Sequence, residues 1–213
     1  MRLVLLLEIG ILAGLSLVFL YQAVPVLASF IYTNKQLPRP RGVPNRIAVL
    51  ILAHNEELLI ERCLRTVISV EYPISFRDIY VIADNCTDRT AEKVASYPVT
   101  CLERKDLANP GKGYAIQWAL QRINCFSYDA VLFLDADAVV SPNIAMEADR
   151  LLSCGEKAIQ VYNGTLNAQE NWLTRCFYVS DVFQFILYFR GREALGLTCR
   201  LLGNGMCLHT DVL

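Results

Sequence analysis

The chain has only two histidines and no Cys-x-x-Cys pair, so a zinc-finger type of site has no ligand set to draw on. It has no Gly-x-Gly-x-x-Gly after its first strand-like run. It also lacks the glycine spacing and the Ser/Thr of a P-loop, so both common glycine-rich phosphate cradles are excluded. Charge of one sign is missing too. Lys+Arg number 20 and Asp+Glu 21, so no basic excess argues for nucleic acid as a partner. No repeat or low-complexity tract appears. The eight cysteines, Cys63, Cys86, Cys101, Cys125, Cys154, Cys176, Cys199 and Cys207, are too dispersed for a disulfide-stapled small domain. They read as mostly buried free thiols in a reducing compartment.

Apolar side chains are plentiful, at 54% of 213 residues, and they concentrate at the N-terminus. Residues 3–32 are almost continuously apolar, and a bilayer-crossing helix needs only about 20 such residues. Glu8 lies near one end, Pro25 is placed to kink or end the helix, and Tyr21 and Tyr32 suit an interface. A cleavable signal with Val26-Leu27-Ala28 as its cleavage site is the alternative. The run is longer than a signal core of about 7–15 residues, which favours a retained anchor over residues 1–34. Lys35, Arg39, Arg41 and Arg46 follow the run and only Arg2 precedes it. That bias predicts a cell-membrane protein, single- or multi-pass, whose main domain is cytoplasmic. Residues 35–45, rich in proline, form a stiff linker, and the domain occupies residues 46–213.

Within the domain, short apolar runs at 47–53, 78–83, 99–102 and 129–134 alternate with helical spacing at 57–70, from Thr87 or Asp88 to about 97, and at 113–123. Pro142 suits the first turn of a further helix. This alternation predicts an α/β fold, Rossmann-like, with a mostly parallel sheet covered by helices on both faces. Residues 159–162 read as another strand, and 201–206 as a strand entering a glycine-rich turn. Residues 171–190 read as a helix. Its ordinary role would be in the core; its functional one would be at a membrane surface or facing an acceptor.

In open parallel sheets, ligands bind at the carboxyl ends of the strands. The polar clusters fall at those ends: Asn55-Glu56, Asp84 to Asp88, and Asp135-Ala136-Asp137. Two carboxylates one residue apart at a strand end can approach one Mg²⁺ or Mn²⁺, ions that share oxygen ligands with phosphates. A solvated acidic turn is the plainer reading of the same triplet. Asp84 can accept hydrogen bonds from a base or ribose. Glu56 can hold a ribose or simply open a helix. Lys112, in Asn109-Pro110-Gly111-Lys112-Gly113, suits a phosphate.

Together VLILAHNE, VIADNCTD, NPGKGYA, FLDADA and LLGNGM resemble a family 2 glycosyltransferase with the GT-A fold. The chain looks similar to the membrane-bound branch that holds cellulose and hyaluronan synthases and cell-wall or exopolysaccharide transferases. The resemblance implies a nucleotide-sugar donor, UDP-linked, a glycan or lipid acceptor, and inversion at the anomeric carbon. It implies that Glu56 and Asp84 contact the nucleoside, and that Ala53 and His54 line the base pocket. Lys112 would lie near base and diphosphate, Asp135 on the nucleotide-sugar, and Asp137, with Asp135, at the metal. Gly203, Asn204 and Gly205 would flank donor sugar and acceptor. The family's downstream Glu-Asp pair and Gln-x-x-Arg-Trp motif have no match here, so no catalytic base is identified and one is expected beyond Leu213. Two other readings compete. Asp135-Ala136-Asp137-Ala138-Val139 fits the opening motif of a haloacid-dehalogenase type of phosphohydrolase, with Asp135 as nucleophile. A tethered nucleotide-binding module without catalysis is the other.

Overall fold

The computed structural model describes residues 2–31 and 42–213. Tyr32, Lys35, Arg39 and Arg41, and the linker as far as residue 41, lie outside them, so the interface reading of Tyr32 and three of the orienting charges have no structural account. The chain forms two compact units. Among the described residues, 2–31 and 162–200 make one, and 42–161 and 201–213 make the other.

The second unit is a six-stranded sheet. Its strands are β1 (Ile47–Ala53), β2 (Arg77–Asp84), β3 (Thr100–Arg104), β4 (Ala130–Asp135), β5 (Ala158–Gln160) and β6 (Met206–His209), in the order β3-β2-β1-β4-β6-β5. The first four are mutually parallel, and β6 runs antiparallel between β4 and β5. Alternation along the central strands explains this layer. Ile47, Val49, Ile51 and Ala53 enter one core cluster, and Ala48 and Leu50 the other. In β4, Leu132 and Leu134 point one way and Val131 and Phe133 the other. A strand apolar on both faces needs cover on both, which βαβ crossovers provide.

Helices α2 (Ile60–Ile68), α3 (Thr90–Val94) and α5 (Ile144–Ser153) cover the first face. Ile60, Cys63, Leu64 and Val67 of α2 are all buried there. Helix α4 (Lys112–Arg122) covers the other through Ala115 and Ala119. Each fully buried Leu or Phe contributes about 1.5–3 kcal/mol. Asn45 fixes the chain where it enters this unit: its N–H and its Nδ2 both donate to Asp149 Oδ1, at 2.9 and 2.7 Å.

Several expectations need correction. Leu201 to Gly205 form the turn, and the strand follows it, at Met206–His209. Gly203 and Gly205 take positive φ values of 87° and 66°, which suits a turn and breaks a strand. Helix α5 begins two residues after Pro142. Three cysteines are buried, two intermediate and three exposed, although all eight are free thiols as expected.

In the first unit α1 (Arg2–Ser29) carries an apolar stretch, Val4–Ser29, of 26 residues, long enough to cross a bilayer. Pro25 lies inside this helix and does not end it. Residues 172–194 form one continuous helical run: α6 (Trp172–Asp181), a π-helical stretch (Val182–Phe189) and α7 (Arg190–Ala194). Asn171 caps it by accepting from Thr174 N, and Thr174 Oγ1 accepts from Asn171 N. The core reading of this helix fails for α6, where no residue is buried; only Phe185, Phe189 and Gly191 of the run are.

Candidate functional site

The sheet's register brings the predicted residues to one edge. Ala53 lies beside Ala83, and Leu52 is flanked by Ile82 and Asp135, so β1, β2 and β4 end together. Beyond those ends opens a cleft of about 740 Å³. Its lining includes Ala53, His54, Glu56, Asp84, Lys112, Asp135 and Asp137. All seven residues expected to hold the donor or a metal therefore face a single cavity.

Two asparagines shape the first two strand ends. Asn55 and Asn85 take left-handed φ values of 56° and 50°, a conformation that asparagine tolerates better than most residues. Asn55 Oδ1 accepts from Thr87 N at 2.8 Å, and His54 Nδ1 donates to the Asp84 carbonyl at 2.7 Å, tying the β1 loop to the β2 loop. Because that carbonyl only accepts, Nδ1 carries a proton. Asp88 serves turn and cap: its Oδ1 accepts from Thr90 N and its Oδ2 from Glu57 N.

Asp84 is buried, and Arg104, at the end of β3, donates to its Oδ1 at 2.7 Å. Arg104 also reaches Asp106 Oδ2 at 2.9 Å and the Asn109 carbonyl at 2.7 Å. Asp106 accepts in turn from Ala108 and Asn109 backbone N–H groups, and bonds to Asn109's side chain hold its carboxyl below the usual range. This network presents the loop that ends at Gly111, where φ is 113° and glycine is required. Neither Arg104 nor Asp106 was expected from the motifs. The polar stretch that ends β3, Glu103 to Asp106, was the available signal, since it repeats the pattern of the other strand ends.

Lys112 donates to Asp135 Oδ1 in a close ion pair. Asn204 Oδ1 accepts from Asp135 N at 3.1 Å, and Gln160 Nε2 donates to the Asn204 carbonyl at 2.8 Å. Gly203, Asn204 and Gly205 do not line the cleft. Their turn backs it instead, with Gly203 passing Lys112: a Cβ at Gly203 would come 3.6 Å from Lys112 Nζ. Asp137 is exposed, and among the described residues no hydrogen bond or ion pair holds its carboxylate.

Negative charge gathers here faster than one lysine offsets it. Burial pushes the Glu56 carboxyl above its usual range, and Asp137, Asp88 and Asp135 push it further, against a smaller opposing effect of His54. Burial raises the Cys63 thiol to about 12, with Asp137 and Asp135 adding to it. No group of three or more metal-ligating side chains occurs among the described residues. Two carboxylates with a surplus of negative charge fit Mg²⁺ or Mn²⁺, which fill their remaining positions with water and phosphate oxygens.

The Glu56 shift carries a prediction. A carboxyl whose folded-state pKa is raised loses stability as pH climbs from its unfolded to its folded value, and the loss is complete above both. Gln at this position cannot ionise, and the backbone bonds of Glu56 to Leu59, Ile60 and Thr90 survive the change. Glu56→Gln should therefore raise the melting temperature at neutral pH by roughly one to three degrees, with the gain vanishing in acid, while weakening nucleotide binding. Paired melting curves at neutral and acidic pH check the sign.

Comparison with known proteins gives this geometry a family. The profile described as "Glycosyltransferase like family 2" matches residues 44–213. The beta-monoglucosyldiacylglycerol synthase of Nostoc sp. is 29% identical over 174 residues, 78% of this chain and 36% of that protein. The probable glycosyltransferase YdaM of Bacillus subtilis is 36% identical over 161 residues, 71% of this chain and again 36% of the relative. The chain thus spans about a third of the length of these relatives. Among solved structures, the mannosyltransferase PcManGT of Pyrobaculum calidifontis, in complex with GDP-Man and Mn²⁺, superposes with a TM-score of 0.65 at 17% identity. The match covers 93% of this chain and 56% of that one. Glucosyl-3-phosphoglycerate synthase of Mycobacterium tuberculosis, with Mn²⁺, UDP and phosphoglyceric acid, gives 0.54 at 21%, covering 79% and 57%. At such identities these neighbours establish the fold alone, which is GT-A. The phosphohydrolase reading of Asp135 falls with the family match, and this chain belongs to the family 2 glycosyltransferases.

Proposed function

We propose that this chain is the donor-binding part of a membrane-anchored, inverting glycosyltransferase that takes a sugar from a UDP-sugar and passes it to a lipid or glycan acceptor in envelope or cell-wall synthesis. The gathering of Glu56, Asp84, Lys112, Asp135 and Asp137 around one cleft at the strand ends carries this reading. The Nostoc relative is named for a glucosylated diacylglycerol, and a Staphylococcus aureus relative, 29% identical over 133 residues, for a diaponeurosporenoate. Those names favour a lipid acceptor over the polymers made by cellulose and hyaluronan synthases. The metal-binding and UDP-binding neighbours support a nucleotide donor with a divalent cation.

In this reading each residue has a task. None of the hydrogen bonds of Asp84 described above uses Oδ2, which is left for the nucleoside. Glu56 receives a ribose hydroxyl. Lys112 exchanges Asp135 for diphosphate oxygens when donor enters. Asp135 and Asp137 hold the cation, and Asn204 steadies Asp135 from behind through its backbone. A bound Mg²⁺ or Mn²⁺ would offset charge on the departing diphosphate. Transfer also needs a base for the acceptor's proton, a task that this proposal gives to none of the cleft residues named above. The membrane anchor is α1, with the sheet unit on the cytoplasmic side.

The test uses the full chain in nanodiscs, titrated with UDP, GDP and a generic phosphate ester. Saturable, Mn²⁺-dependent UDP binding without phosphate release from the ester is the expected result. Hydrolysis of the ester with no nucleotide binding would overturn it.

A further inference from the structure

The unit that contains α1 exposes an apolar surface of a kind that water-facing helices avoid. Trp172, Phe177 and Val179 of α6 are 75%, 57% and 64% exposed, and Leu173, Tyr178 and Phe183 are exposed beside them. Large apolar side chains exposed in such number mark contact with a protein or a membrane. Two charged groups of the same run, Asp181 and Arg192, are occupied within the unit. Asp181 accepts from Thr165 Oγ1 at 2.6 Å. Arg192 donates through Nη1 to Tyr21 Oη at 3.0 Å and through Nε to the Thr198 carbonyl at 2.8 Å, and lies over the Tyr188 ring.

The attachment point of this run on α1 is informative. Gly191 abuts Pro25 so closely that a Cβ there would overlap the Pro25 carbonyl. Pro25 and Tyr21 lie in the last turns of the apolar stretch Val4–Ser29. The run is therefore fastened to the C-terminal end of the candidate span. At about 1.5 Å per residue that span exceeds the roughly 30 Å hydrocarbon layer, so its last turns fall at a membrane boundary.

The run's composition decides among crossing, lying on and avoiding the bilayer. Arg175, Asp181, Arg190, Arg192 and Glu193 put five charges in residues 172–194, too many to cross. The exposed Trp, Phe and Tyr rings make water a poor neighbour. Aromatic rings with a polar edge prefer the headgroup level, and a helix combining them with arginines lies in the interface plane. The π-helical stretch assists: it turns Phe185 inward, 5.3 Å from the Tyr162 ring and 5.4 Å from Phe189, and leaves Phe183 outside.

We infer that residues 172–194 form an interfacial helix that rests in the lipid headgroup layer beside the exit of α1, with Trp172, Phe177, Tyr178 and Phe183 as its apolar contacts. The inference rests on the anchor reading of α1, and the experiment separates the two. The chain has two tryptophans, Trp118 on α4 of the sheet unit and Trp172. Trp118→Phe and Trp172→Phe each leave one reporter. Each full-length variant is reconstituted into phosphatidylcholine–phosphatidylglycerol vesicles. Flotation reports the anchor. Lipids brominated high or deep on the acyl chain report depth, and aqueous iodide reports exposure to water.

Trp172 should lose emission roughly twofold with shallow bromines, less with deep ones, and little with iodide, given burial about 5–10 Å below the headgroups. The chain that keeps only Trp118 gives the reference signal for a tryptophan of the sheet unit. A chain that fails to float sinks the anchor reading and this inference with it. If it floats, three results overturn the inference alone. Stronger quenching by deep bromines would mean that the run crosses the bilayer. Quenching by iodide only would mean that it faces water. Protection from every quencher would mean that protein covers it.

Discussion

Arg104→Met should destabilise the sheet unit by about 3–5 kcal/mol, the usual result of removing one partner from a buried ion pair. Arg104 is 3% exposed and Asp84 8%, so water cannot readily replace the guanidinium. Methionine fills a similar volume but leaves a carboxylate stranded at the end of β2. Its loss also frees Asp106 and the Asn109 carbonyl, and with them the loop leading to Lys112. One feature moderates the size. Arg104 Nε is buried without a partner among the described residues, a defect of about 1–3 kcal/mol that the substitution removes. The lower half of the range is therefore expected, a fall in melting temperature of roughly ten degrees. Thermal melts followed by circular dichroism measure it. Adding Asp84→Asn should recover part of the loss, because the stranded charge goes with it. A single-variant change under about 1 kcal/mol would show that Asp84 is solvated well enough to need no arginine.

The same network marks where sequence reading reached its limit. Parallel strands were legible because β1 and β4 are apolar on both faces, and only a doubly covered sheet accepts such strands. The cleft was legible because strand ends in that architecture converge, so Glu56, Asp84 and Asp135 could be placed together without any coordinates. Arg104 was not legible: at the end of a short strand, an arginine that pairs inward looks like one that points to water. The antiparallel β6 was misjudged by a few residues, since Gly203-Asn204-Gly205 marks a turn without saying on which side the strand lies. The helix read at 171–190 kept a core reading beside a membrane-surface or acceptor-facing one, because its apolar residues lack a clear stripe. The structure decides against the core reading for α6, none of whose residues is buried.

Asp137→Ala should erase the effect of metal on nucleotide binding while leaving the fold intact. The two aspartates of the triplet differ in how they are held, and this separates their phenotypes. Asp135 is fixed by Lys112 and, through its backbone, by Asn204. Removing its carboxylate disturbs the lysine that would meet the diphosphate, so metal-free binding should suffer as well. Asp137 is exposed, and nothing among the described residues holds it. Its removal relieves repulsion on Glu56, whose pKa it raises, so stability should hold or rise slightly. For the wild-type chain, UDP affinity with Mn²⁺ should exceed that in chelator by about 5–150-fold, a typical coupling between two ligands at one site. By reciprocity UDP must tighten Mn²⁺ by the same factor, so titrating metal against a nucleotide-saturated and a nucleotide-free chain gives an independent reading of the same number. In Asp137→Ala both ratios should fall to near one, with an unchanged melting temperature. In Lys112→Ala the metal-free UDP affinity should fall while Mn²⁺ alone binds more tightly, because Asp135 loses its resident cation. An Asp137→Ala chain that kept the full metal effect would move the cation away from this strand end and leave the triplet as a solvated turn.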